Sequence, residues 1–374
     1  MTDRCAFAKK DGCSIDSYRI TNSKGEYVEI LNYGAVVRKL CVQDAHGQLV
    51  DVALGYDSAE EYDNRGTYFG AVIGRAANRI SGSSFSFEGK TYRLFDTGGG
   101  VSLHGGKVGF NNRLFKLIDI SPDSITLALT SDDGDEGYPG CVELEVSYTF
   151  TDDSDLIINY RAFSDSRTLF NPTNHTYFNL FGHDSGISAL DTFLCIRASY
   201  ITPLGRDFTP DGTFLNVRNT PFDFKSPKKI GRGIEESDGQ LSLAGGYDVS
   251  YVSDPFAAEK LPEWALKEQN NGIISNLPVI ACAFADKTGI ALLVRTNLPC
   301  VQFYSGNFID RTVGKGGAVY DRRFGFCLET QGYPDAVNKK TFPSITLFPG
   351  ERYESTTVYS FSTVPYNKKT KDIL

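Results

Sequence analysis

Two short stretches carry side chains suited to proton transfer. The first is Asn171-Pro-Thr-Asn-His-Thr-Tyr-Phe-Asn-Leu180, which sets His175, one of four histidines, among polar and aromatic neighbours. Imidazole, with an ordinary pKa of about 6.5, gives or takes a proton near neutral pH. Thr173, Asn174, Thr176, Tyr177 and Asn179 supply hydrogen-bonding groups around it, and Pro172 biases Asn171 toward an extended backbone. The second is Gly325-Phe-Cys-Leu-Glu-Thr-Gln331, where Glu329 lies inside an apolar run. A carboxyl there is costly to bury unless it is paired or in use. An acid and a base brought together would protonate one substrate atom while deprotonating another. On these segments alone, a histidine merely satisfied inside a core stays open.

Other segments offer ligand-holding groups, each with a plainer alternative. In Gly74-Arg-Ala-Ala-Asn-Arg-Ile80, Arg75 and Arg79 flank small residues that let another group approach the backbone; either could clamp a ligand oxygen, or pair with surface carboxylates. Leu103-His-Gly-Gly106 sets His104 against glycines, as a ligand-facing loop or a structural turn would. Gly245-Gly-Tyr-Asp248 brings Asp248 out of a glycine turn. Val301-Gln-Phe-Tyr304 alternates so that Gln302 and Tyr304 share a face. The acidic loop Asp132–Gly140 has part of an EF-hand spacing, but Glu143 and Glu145 fall in a strand and out of register, so a solvated turn is expected.

The elements that must position these groups read as strands. Val142, Leu144, Val146, Tyr148 and Phe150 alternate with Glu143, Glu145, Ser147 and Thr149, and Leu156, Ile158, Tyr160 and Ala162 repeat the pattern just before the His175 stretch. Further strands are expected between Tyr27 and Ala53, at Val279–Phe284 and at Ile290–Arg295, with a hairpin around Glu88-Gly89-Lys90. Ser58-Ala-Glu-Glu61 has the spacing of a capping box and predicts one helical turn. Aromatics at 13%, 37 Gly, 15 Pro, one Met and one Trp suit many short strands and tight turns, hence an all-β chain. No repeat or linker divides it, so residues 1–374 are expected as a single domain, with a surface insertion at about 254–275 in which Pro262–Gln269 predicts two helical turns.

A net charge of −8 and a pI near 5.2 argue against a nucleic-acid surface. The eight cysteines contain no CxxC pair and read as free thiols in a reducing compartment. The N-terminus lacks a signal-peptide core, and no apolar run approaches the roughly 20 residues of a membrane span. A soluble cytoplasmic protein without membrane contact is expected.

The ordered fragments Asn32–Ala35, Gly74–Arg79, Leu103–Gly106, Gly134–Gly140, Asn171–Leu180, Val301–Tyr304, Glu329 and Phe348–Gly350 resemble the aldose 1-epimerase (galactose mutarotase) family. The resemblance implies a large antiparallel β-sandwich (galactose mutarotase-like supersandwich) with few short helices and an open sugar groove. It implies His175 as proton donor, Glu329 as base, and Asn78, Arg79, His104, Tyr177, Asp248 and Gln302 in contact with a free aldose such as galactose or glucose. No metal or organic cofactor is implied. An ionised Glu329 and an imidazolium at His175 would be the partners near neutrality. Tyr304 or Phe178 would offer an aromatic face. One position departs from the family pattern: Val249 follows Asp248 where histidine is common, which puts sugar preference in doubt. A phosphorylated sugar would need an additional cationic pocket, for which Arg322-Arg323 is the candidate. The alternatives are a catalytically silent sugar-binding β-sandwich and a glycoside hydrolase with Asp248 as its second acid. A monomer and a homodimer are both compatible with the sequence.

Overall fold

A computed structural model describes residues 1–64, 66–254, 262, 265 and 276–364. The alternating segments become antiparallel strands, as a period of two with one apolar face requires. Nine of them pair in the order Lys116–Ile120, Ser124–Ser131, Val142–Phe150, Asp155–Ser164, Tyr353–Thr363, Ile290–Thr296, Val279–Phe284, Phe193–Ile196 and Lys228–Lys229. Six more run Tyr177–Phe178, Phe326–Gln331, Cys300–Tyr304, Asp248–Val252, Tyr200–Thr202 and Leu215–Asn216. A third sheet orders Thr2–Lys10, Cys13–Thr21, Tyr27–Leu31, Val37–Gln43 and Leu49–Asp51. The largest apolar core joins all three, drawing Ile30 and Leu40 from the N-terminal sheet, Val146 and Ile158 from the long sheet, and Val249, Phe303 and Leu328 from the six-stranded one. This is the expected β-sandwich.

Two α-helices have their bounds among the described residues, Ala59–Asn64 and Gly239–Ala244. The first follows the predicted capping box, since the Ser58 N–H and hydroxyl both donate to the Glu61 carboxylate, at 3.2 and 3.1 Å. No helix among them is long and apolar enough to cross a membrane. The predicted hairpin pairs Ser84–Phe87 with Lys90–Arg93. Most of the 254–275 stretch, including the predicted helical turns, lies outside the described residues; Ala265 packs against Cys195, Val279, Cys282 and Leu293 of the long sheet.

The acidic loop is a brace more than a solvated turn. Glu136 accepts the backbone N–H groups of Lys107 and Val108 at 2.7 and 3.0 Å, and Asp135 pairs with Arg113 at 2.5 Å. These three contacts pin the loop that follows His104. Arg75 is buried and donates to the carbonyls of Ser131, Asp132, Pro139 and Gly140 and to the hydroxyls of Ser131 and Thr168. It is therefore neither a surface pair nor a ligand clamp. It locks the segment that carries Asn78 and Arg79.

Candidate active site

Register on the six-stranded sheet decides which side chains meet. Directly opposed residues of antiparallel strands point the same way. Tyr177 opposes Cys327, Cys327 opposes Tyr304, and Tyr304 opposes Asp248; in the adjacent row Glu329 opposes Gln302. The intervening residues Phe326, Leu328, Phe303 and Val249 point into the core. Alternation thus explains how one strand holds Leu328 in apolar packing and presents Glu329 on the other face.

His175 sits between the short strands Thr173–Asn174 and Tyr177–Phe178. Its backbone is fixed by bonds to Ala71 (2.9 Å) and from Gly70 (3.0 Å), while Thr173 donates to the Thr330 carbonyl at 2.7 Å. The ring lies between those of Tyr177 and Tyr68, with centroids at 4.9 and 5.7 Å and planes within 25°. Its Nε2 lies 3.6 Å from Glu329 Oε1, and its Nδ1 lies 3.5 Å from Cys327 Sγ. His175 and Glu329, 154 positions apart in sequence, form one buried pair.

The pair opens into a pocket of about 330 Å³. All eight sequence-derived residues line it: His175, Glu329, Asn78, Arg79, His104, Tyr177, Asp248 and Gln302. Of the other two histidines, His183 bonds the Tyr320 hydroxyl outside the pocket, and His46 lies in an exposed turn. Sequence reasoning missed Thr67, Tyr68, Phe308 and Ile309, all on the wall. Tyr68 lies two residues after Gly66 and has a positive φ of 58°, but nothing in its neighbours' residue types advertised the site. Tyr304 faces the pocket, whereas Phe178 is packed between the sheets against Phe326, Tyr359 and Phe361 and cannot present a face to a ligand. Val249 is likewise a core residue, so the departure from the family pattern does not touch the pocket. Arg322 and Arg323 both donate to the Gly245 carbonyl, and Arg323 also pairs with Glu235; they brace the turn before Asp248 and form no phosphate pocket.

The electrostatics differ from expectation. Burial pushes the His175 imidazole down to about 4, against an upward pull from its own backbone carbonyl. Burial also drives the Glu329 carboxyl well above its ordinary value; the neighbouring Asp248 adds to the rise and Arg79 opposes it. Burial at this site therefore favours a neutral imidazole beside a protonated carboxyl, not the expected imidazolium and carboxylate. Both states hold one proton between the two groups. Asp248 is raised by burial too, moderated by Arg79 and by Gln302 Nε2, which donates to it at 2.6 Å. Burial lowers His104 well below its ordinary value, and its Nδ1 accepts the Asn78 N–H at 3.2 Å. A neutral ring so bonded carries its proton on Nε2 and is a donor there. Donor atoms of His175, Cys327 and Glu329 fall within 4.8 Å of one another, a spacing compatible with a cation as well as with a hydrogen-bonded row.

A polar pocket with an acid–base pair, a cation at Arg79 and several fixed donors suits a small polyhydroxylated molecule. Residues 16–360 match the family model described as aldose 1-epimerase. The chain is 38% identical to galactose mutarotase of Homo sapiens over 90% of its own length and 91% of the relative's. It is 33% identical to aldose 1-epimerase of Escherichia coli over 94% of this chain and 96% of that one. Among solved structures, an aldose epimerase homologue from C. elegans superposes with a TM-score of 0.82 at 30% identity, covering 94% of this chain and all of the other. A galactose 1-epimerase from Lactobacillus acidophilus gives 0.79 at 27%, covering 98% and 99%. With the match spanning sandwich and pocket alike, the chain belongs to the aldose 1-epimerase family of enzymes.

Proposed function

We propose that this enzyme interconverts the α and β anomers of free aldoses such as galactose or glucose, with His175 and Glu329 as its acid–base pair. The observation that carries this is the 3.6 Å approach of His175 Nε2 to Glu329 Oε1 at the buried end of the pocket. Glu329 takes the proton of the anomeric hydroxyl as O1 becomes a carbonyl oxygen. The electrons of the C1–ring-oxygen bond pass to the ring oxygen, which takes a proton from His175. Rotation about C1–C2 and reversal of both transfers then close the other anomer. An acid and a base suffice for these steps. Asn78, Arg79, His104, Tyr177, Asp248 and Gln302 hold the hydroxyls; Arg79 and the Nε2–H of His104 are suited to oxygens that gain negative charge.

The residues form one folding unit in this proposal, with about 254–275 as an insertion. Eight free thiols support a cytoplasmic location. Polarimetry on freshly dissolved α-D-galactose and α-D-glucose tests the proposal. Wild-type protein should speed the approach to anomeric equilibrium beyond the spontaneous rate, and His175→Asn and Glu329→Gln should each lose a hundredfold or more. No acceleration with either sugar, or full rates in either variant, refutes it.

A further inference from the structure

We propose that Tyr68 works in the site beside the residues already named: its ring holds the plane of the His175 imidazole, and its hydroxyl donates to a hydroxyl of the bound aldose. This deepens the functional reading above and rests on it for the sugar contact.

Three pocket residues other than glycine have a positive φ: Tyr68 at 58°, Asn78 at 63° and His104 at 53°. Asparagine and histidine enter the left-handed region several times more readily than most side chains, whereas a bulky aromatic is strained there. Such strain persists where the surroundings over-determine it, and it gathers at working sites. Both flanks of Tyr68 are tied down. The Thr67 hydroxyl meets that of Tyr56 at 2.8 Å, and Phe69 packs on Tyr56 and Tyr177 with centroids at 5.0 and 4.8 Å. The Gly70 carbonyl accepts the Val37 N–H at 2.9 Å, and a Cβ on Gly70 would lie 2.1 Å from the Val37 carbonyl oxygen. The Ala71 N–H closes the turn on the Tyr68 carbonyl at 3.1 Å. The same turn takes the His175 N–H on the Ala71 carbonyl at 2.9 Å and gives the Gly70 N–H to the His175 carbonyl at 3.0 Å. One turn thus grips the backbone of His175 and lays Tyr68 over its ring.

The Tyr68 centroid is 5.7 Å from that of His175 with planes 25° apart, and 4.7 Å from that of His104 at 60°. With Tyr177 stacked on His175 at 4.9 Å, the imidazole is held on both faces and turns less about Cβ–Cγ. Nε2 then stays where it lies 3.6 Å from Glu329 Oε1. The hydroxyl has a separate role. Tyr68 is half-buried on the pocket wall, and among the described residues its hydroxyl has no hydrogen-bond partner, whereas the Tyr304 hydroxyl accepts the Phe308 N–H at 2.9 Å. Burial raises the Tyr68 phenol and Arg79 pulls it back, so it is a protonated donor at neutral pH. On the wall of a polar pocket, such a donor suits a sugar oxygen.

The test separates ring from hydroxyl with Tyr68→Phe and Tyr68→Leu. In proton NMR the His175 Cε1–H, assigned by the signal lost in His175→Asn, should hold its place in Tyr68→Phe and move downfield in Tyr68→Leu, which removes one ring current. Galactose titrated against the same signals should bind Tyr68→Phe roughly threefold to tenfold more weakly, the loss of one neutral hydrogen bond. In polarimetry Tyr68→Phe should raise KM by that factor with kcat nearly unchanged, while Tyr68→Leu should also lower kcat roughly tenfold or more. Galactose bound as tightly by Tyr68→Phe as by wild type overturns the hydroxyl contact. A His175 signal unmoved in Tyr68→Leu, or a kcat as low in Tyr68→Phe as in Tyr68→Leu, overturns the role of the ring. The stack is also read in wild type as a nuclear Overhauser contact between the two rings, and its absence refutes the proposal even where the leucine variant fails to fold. Wild type that binds galactose without turning it over counts against the acid–base reading, whereas full turnover with no effect of Tyr68→Phe on binding counts against Tyr68 alone.

Discussion

Replacing His175 by asparagine should remove a specific part of the protein's sensitivity to acid. Burial between Tyr68 and Tyr177 holds the imidazole near 4, against 6.5 in the unfolded chain. Below 6.5 the unfolded histidine binds a proton that the native one refuses, so acid favours unfolding. The stability this group contributes is whole above pH 6.5 and is lost as pH falls toward about 4. At about 1.4 kcal/mol per unit the full loss is about 3 kcal/mol, of which about 2 kcal/mol is gone by pH 4.5. The assay is urea unfolding of wild type and His175→Asn at pH 7 and pH 4.5. His104 and His183, also lowered by burial, remain in both proteins. His175 is one cause of the low value at His104, so removing it relaxes His104 upward and changes the comparison in the same direction. Wild type should therefore lose about 2 kcal/mol more than the variant between the two pH values. Equal losses would show that the ring is solvated and titrates normally, which would undo the account of the pocket.

Glu329→Gln should stabilise the fold at alkaline pH while abolishing activity. A raised carboxyl contributes stability that is whole below 4.5 and is lost as pH rises through the folded value, and glutamine has nothing to ionise. A wild type whose midpoint declines no faster than the variant's on the alkaline side refutes this. Asp248→Asn removes the charge that helps raise Glu329, so the alkaline limb of the activity profile should move to lower pH; a stationary limb counts against the coupling. Arg75→Met strips buried carbonyls at Ser131, Asp132, Pro139 and Gly140 of their donor and should cost about 3 kcal/mol or more. Thermal unfolding within a degree of wild type would mean that water or backbone shifts replace the guanidinium.

Much of the site was legible because strand alternation and chemistry coincide. The pattern of Val142–Phe150 predicted a half-buried strand, and the same rule put Gln302 beside Tyr304. Glu329 was conspicuous because a carboxyl in an apolar run demands a reason. What could not be seen depends on contacts far apart in the chain. Arg75 and Arg79 look equivalent in sequence, yet a 56-residue reach to Ser131 makes one a structural clamp while the other lines the pocket. Tyr68 and Phe308 reach the wall through loops whose course no periodicity sets. Phe178 was misjudged for a related reason: its strand is two residues long, so the face it presents is decided by pairing with Phe326 and not by any visible repeat.

The charge state of the His175–Glu329 pair was the least legible property, and it bears most directly on turnover. With ordinary values, imidazole would hold the shared proton and the carboxylate would be bare. Burial moves the two groups in opposite directions and favours the neutral imidazole and protonated carboxyl. That state is the one the proposed ring opening would leave behind, once Glu329 has taken the O1 proton and His175 has given its own to the ring oxygen. In the proposed reaction the pocket is thus matched to the open-chain intermediate, which needs a protonated Glu329 and a His175 with Nε2 unprotonated to close again on either face. Each full cycle returns the pair to its starting state, so activity requires one shared proton and no exchange with bulk water. Below about pH 4 both groups are protonated and no base remains; above the raised value of Glu329 the shared proton is lost and no acid remains. The expected profile of kcat/KM against pH is bell-shaped, with its acid limb near 4. An acid limb near 6.5 would mean that the reaction needs a histidine titrating as it does in water, and the buried pair would not be the proton carrier.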